Sequence, residues 1–231
     1  FTVFIALVSP VDRLAGDLFF MHMVQHELLV LVAAPLLLLS APMLPLLRGV
    51  PRPVRQRLVI PVAKAKAVRS TLGFLTQPAI AWGLFVIVFF GWHLPPLYAA
   101  AQNNDAVHIL AHVTLTWTAL LFWWNVVDPL PLRPKLSYLA RVPYIFLMTL
   151  PNLLLSAFVT FSDTPWYAIH EVRALLHGIT ALEDQQIGGA IMWIPGSFIM
   201  GAALLINLWM SVKSEERNQR ARERLQQRAA S

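Results

Sequence analysis

Apolar residues in this chain come in long runs rather than in alternation, and polar residues gather in the gaps between them. About 20 consecutive apolar residues are what a helix needs to cross a bilayer. Five such runs are complete: Leu18 to Leu47, with an uncharged core from Leu28, then Pro78 to Leu97, Ala106 to Val127, Val142 to Phe161 and Ile187 to Val212. Phe1 to Val8 is apolar but too short to cross, and reads as the end of a helix whose start is missing, since the chain does not begin with Met. Helices satisfy their own backbone hydrogen bonds in lipid. The expected fold is therefore all-α, a polytopic transmembrane helical bundle of five complete spans plus a truncated first helix. It would occupy residues 1–212, with residues 213–231 as a basic cytoplasmic tail. Pro35, Pro42 and Pro45 are expected to kink or shorten the first span.

Composition agrees. The chain has 231 residues, 57% hydrophobic and 13% charged, against roughly a quarter charged in soluble domains. Its mean hydropathy is +0.60. No basic n-region or small-residue cleavage site marks Phe1 to Val8 as a signal peptide. There is no cysteine, which removes disulfides, thiolate metal sites and thiol catalysis together.

The polar gaps alternate in charge. Of the 18 basic residues, all but Arg13 and Arg173 fall between Arg48 and Gln77, between Asp128 and Arg141, or after Val212. The positive-inside rule places those segments, and the C-terminal tail with them, in the cytoplasm. The opposite loops, Ser9–Asp17, Tyr98–Asp105 and Ser162–Gln186, carry most of the acids. The net charge of +6 points to anionic lipid headgroups rather than to nucleic acid, because the basic residues flank the spans. Part of Arg55–Leu75 can form an interfacial helix on the inner headgroups or a solvated basic loop. Ser214 to Arg228 reads as an exposed helix.

Against this background the histidines stand out. All seven fall on the acidic side, five of them on or beside spans. Polar side chains at membrane depth are costly and point to a site, and imidazole is the commonest metal ligand. His22 and His26 are four residues apart, about 6 Å along a helix axis and on one face. His108 and His112 repeat that spacing, and His93 ends the second span in Trp92-His93-Leu94-Pro95-Pro96. Met21 and Met23 flank His22, and thioethers suit Cu(I). Met192 enters the last span as a second soft ligand, and Asp184 can orient a ligand imidazole. His170 and His177 read as loop residues. Glu27 lies near the outer edge of its span, where it can be functional or merely reach the interface. The order of residues is not H-E-x-x-H, and no nucleophile–base pair emerges, so a non-enzymatic role is expected. Two readings fit the imidazoles, a metal or cofactor site and structural polar contacts between helices.

The same motifs resemble a known family. His22-Met23-Val24-Gln25-His26 with Ala34-Pro35-Leu36 and Ala41-Pro42 is similar to the opening signature of the CtaG family, polytopic assembly factors for caa-type cytochrome c oxidases. Trp92-His93-Leu94-Pro95 with Tyr98, His108, His112 and Leu121-Phe122-Trp123-Trp124 resembles its central block. Asp184-Gln185-Gln186-Ile187-Gly188-Gly189 with Met192-Trp193 resembles its last signature. The resemblance implies a cell-membrane protein that serves cytochrome c oxidase subunits and helps form the oxidase copper centre. It makes His22, His26, His93, His108 and His112 candidate ligands for copper as Cu(I), near the extracytoplasmic face, with Met192 and Asp184 as further site residues. The single-span copper chaperones that share the CtaG name use cysteines, which this chain lacks. Two alternatives stay open: a b-type haem protein of electron transfer, with axial histidines on facing helices, and a copper permease. A permease needs polar residues in the inner half of the spans, where only Asn125, Asn152 and Asn207 stand.

Overall fold

The computed structural model describes residues 1–41, 43–129 and 134–230, and these are helical with no strands. Pro42 and Arg133, which entered the expectations above, lie outside the described residues. Two short helices, α1 (Thr2–Val8) and α2 (Pro10–Ala15), precede the long α3 (Phe19–Leu39). After a run of short, largely exposed basic helices come α4 (Lys66–Leu75), α5 (Pro78–His93), α6 (Pro95–Asn103), α7 (Asp105–Trp124), α8 (Tyr138–Thr160) and α9 (Ala181–Ala230).

Four of these helices, α3, α7, α8 and α9, are long and apolar enough to cross a membrane. The expected second span differs. Its 16 residues, α5, cover about 24 Å at 1.5 Å per residue, short of a hydrocarbon core of about 30 Å. A fifth crossing exists only if α4 and α5, bent by 70° at their junction, count as one. Proline sets both breaks. Gln77 precedes Pro78 and Leu94 precedes Pro95, and both take extended backbone (ψ 134° and 129°), the conformation that a following proline imposes.

The first span ends at Leu39, eight residues before the expected Leu47, and a separate short helix covers Met43–Gly49. Pro35 does not kink α3 sharply. The helix widens to a π-turn over Leu28–Ala33, where the Ala34 N–H bonds the Leu29 carbonyl five residues back. In that register the Pro35 nitrogen would have to serve Val30 but carries no hydrogen. The Trp123 indole N–H, from α7, donates to the Val30 carbonyl instead, at 2.8 Å. A helix defect is thereby converted into a contact between two spans.

The last span continues unbroken to Ala230, so the basic tail extends the membrane helix itself. Along its N-terminal half α9 packs against α8 and α3. A Cβ at Gly188 would enter the Phe19 ring, and one at Gly189 would lie 2.7 Å from the Thr160 backbone nitrogen. Only glycines permit this approach. One apolar core lies around Phe85, Phe122, Ile145 and Met200, and a second around Phe19, Tyr98, Tyr167 and Met192. Beyond them, Arg141 is almost fully buried. It donates to Asp128 at 2.7 Å and to the Val126 carbonyl at 3.0 Å, which ties the start of α8 to the end of α7. Burial raises the Asp128 carboxyl, and hydrogen bonds from Arg141 and Tyr138 outweigh that, leaving it below its ordinary value.

Candidate metal centre

Three helices bring five imidazoles together. α3 supplies His22 and His26, with ring centroids 4.2 Å apart, as its i, i+4 geometry requires. α7 supplies His108 and His112, 4.5 Å apart. His22 lies 5.4 Å from His108 and 5.8 Å from His112, and His26 lies 5.2 Å from His112. The C-terminus of α5 brings His93 to 6.1 Å from His26. His22, His26 and His112 each offer a nitrogen, all within 4.8 Å of one another.

The hydrogen bonds around these rings are incomplete in an informative way. His93 Nδ1–H donates to the Phe89 carbonyl one turn back, at 2.6 Å, leaving the Nε2 lone pair buried and without a partner. Metal-binding imidazoles are commonly oriented in this manner. Both nitrogens of His26 and Nδ1 of His112 are also buried without partners. Leaving one buried polar atom unpaired costs about 1–3 kcal/mol, and four such atoms lie on these neighbouring rings. His112 Nε2 and His108 Nε2 share a hydrogen bond of 2.8 Å. The Gln102 amide of α6 reaches His22 Nδ1 at 3.3 Å. The donor set fits a soft or borderline cation: imidazoles first, thioethers next, no thiolate.

Asp184 reaches no imidazole. Its carboxylate accepts the backbone N–H groups of Phe19 at 2.8 Å and Phe20 at 2.9 Å. It caps the helix that carries His22 and His26, filling donors that a helix N-terminus leaves open. Gln185 accepts the Trp166 N–H and donates to the Val159 carbonyl, and Gln186 donates to Ser162. The Asp-Gln-Gln run therefore ties the start of α9 to the start of α3, to the end of α8 and to the segment that follows α8. Gln25, also on α3, donates to the Ala6 carbonyl and to Asp12, holding α1 and α2 against that helix.

Met192 does not join the imidazole group directly. It lines a cavity of about 30 Å³ whose wall also includes His26, His93, Glu27 and Asn152. Glu27 keeps Oε2 buried there without a partner. His177 stays half-exposed beside Asp17, at 3.6 Å, as a loop residue does. His170 departs from the loop reading, being 1% exposed. Its Nδ1–H donates to the Asp17 carbonyl and its Nε2 accepts from Tyr98, at 3.0 and 2.8 Å. Burial lowers its pKa, and the Asp17 carbonyl partly opposes that. Tyr98 packs edge-on against His22, 5.3 Å between centroids. Gln102, Tyr98 and His170 thus support the site; Tyr98 belongs to the motif block noted in the sequence, whereas no linear signature marks Gln102, on the same short helix, or His170, on a helical turn before Glu171.

Comparison with known proteins places the chain in a family. An uncharacterised protein of Mycobacterium leprae (strain TN) is 26% identical over 205 residues, covering 80% of this chain and 28% of the relative. The chain thus spans less than a third of that relative's length. No solved structure matches. The cytochrome c oxidase caa3 assembly factor family (Caa3_CtaG) matches residues 1–214, which takes in every imidazole, cap and glycine contact described above; the chain belongs to that family.

Proposed function

We propose that this protein binds copper as Cu(I) near the extracytoplasmic membrane face and assists formation of the oxidase copper centre. The family supplies the assembly role. The observation that carries the metal is the trio His22, His26 and His112, with nitrogens within 4.8 Å of one another and several buried ring nitrogens unpartnered. His93 and His108 flank the trio. Copper here is cargo. Coordination by imidazole without thiolate is labile enough to release the ion to an oxidase subunit in the same membrane. His108 is partly exposed and gives the trio a side from which cargo can pass. Asp184 and the glycine contacts hold α3 in register, so the ligands stay aligned with or without the ion.

The proposed orientation, with tail and basic segments inside, follows from the charge asymmetry, and anionic lipids are the proposed partners of those segments. The haem alternative is less well supported. Two axial imidazoles must stand either side of a macrocycle, whereas the rings here are in near contact and the adjoining cavity is about 30 Å³. The permease alternative is less well supported: Asn125 and Asn207 donate to carbonyls of their own helices, and Asn152 donates to the Met192 carbonyl. The test is complementation. In a host lacking its own copy, His22→Ala/His26→Ala should leave the oxidase short of copper and activity while the variant still reaches the membrane. Normal oxidase copper content with the double variant would refute the proposal.

A further inference from the structure

Next to the imidazoles lies a chamber that His26 alone of the trio reaches. Four of the chain's seven methionines, Met23, Met148, Met192 and Met200, line it, together with His26 and Glu27. They come from three helices, α3, α8 and α9, and all are at most 4% exposed. We propose that this chamber is a second Cu(I) site, held by thioethers, to which His26 connects the imidazole site. The proposal rests on the copper reading and adds a second station to it.

Methionine commonly fills irregular gaps in apolar cores. That role leaves a gap filled, whereas this one stays open at about 30 Å³. A purely apolar cavity stays dry and needs no polar lining. This one is bordered by Glu27 and His26, whose Oε2 and ring nitrogens are buried without partners. Thioether sulfur is soft and neutral, so it selects a univalent soft ion over hard cations. A single positive charge in a low-dielectric chamber needs a compensating group close by, and the Glu27 carboxyl is in the wall. Because His26 belongs to both sites, an ion can exchange one ligand at a time without entering water.

The experiment uses the full chain in detergent, titrated anaerobically with Cu(I) and with Ag(I) as a redox-inert stand-in. It counts ions per chain and reads the ligand atoms by X-ray absorption. The unaltered protein should hold about two ions, with both sulfur and nitrogen neighbours. Met148→Leu/Met192→Leu/Met200→Leu, close in volume, should hold about one, with sulfur largely lost. His22→Ala/His112→Ala should keep the sulfur-bound ion. Only nitrogen neighbours in the unaltered protein would overturn the methionine site and leave the imidazole site standing; this readout needs no variant to fold. Sulfur neighbours and stoichiometry both unchanged in the leucine variant would overturn it as well. No bound ion at all would overturn both.

Discussion

Asp184 accepts the backbone N–H of Phe19 at 2.8 Å, joining residues 165 positions apart. A carboxylate on the last helix thereby caps the helix that bears the first two histidines. Asp184→Ala should cost about 1–2 kcal/mol, the usual loss for an N-cap. It should also weaken metal retention although no proposed ligand is removed. Asp184→Asn, which keeps an acceptor oxygen, should recover part of both. Thermal unfolding in detergent and metal retention on dialysis check this together.

The contact between Trp123 and Val30 predicts a coupling. Trp123→Phe leaves the Val30 carbonyl without its donor and should destabilise by about 1–2 kcal/mol. In a Pro35→Ala background the new backbone N–H can serve α3 itself, so the same change should cost clearly less. A double-mutant cycle reads the difference. Additive costs would mean that the π-turn does not arise from Pro35.

Glycines divide by what surrounds them. Gly189→Ala drives a methyl into Thr160 backbone, which cannot step aside, and should cost about 1–3 kcal/mol. Gly201→Ala and Gly83→Ala meet nothing within 4 Å and should be neutral or slightly stabilising, as alanine favours helix by about 1 kcal/mol. Unfolding midpoints of the three variants give the comparison.

His170 predicts a pH dependence. Its folded pKa is lowered, chiefly by burial, so the folded state favours the neutral ring. Its contribution to stability is full above the unfolded value of about 6.5 and is lost as pH falls through the folded value. His170→Gln should be less stable than the parent at pH 7.5, and the gap should narrow as pH falls below about 6. Unfolding of both proteins between pH 5 and 8 checks the sign.

Much of this was legible in the chain itself. The i, i+4 pairs His22/His26 and His108/His112 read directly, because helical periodicity alone puts such residues on one face. Their convergence with His93 followed from matching depth in successive spans. The parts that did not read depend on tertiary register. Met148 and Met23 meet Met192 only through the packing of α8 and α3 on α9, which no local spacing encodes. Asp184 looked like a partner for an imidazole, but the docking of α3 puts backbone N–H groups nearer. Arg141 counted as a basic loop residue, yet the carbonyl left open at Val126 draws it inside. The short second span shows the limit of hydropathy: Leu94 and Leu97 continue the apolar run, while Pro95 ends the helix.

The central claim is that the imidazole trio holds copper, and the most direct test is the copper and haem content of purified protein expressed with both supplied. Bound copper without a Soret band, falling by about one ion per chain in His22→Ala/His26→Ala, is the expected result. Copper content unchanged in that variant, or a Soret band that disappears with it, would contradict the account.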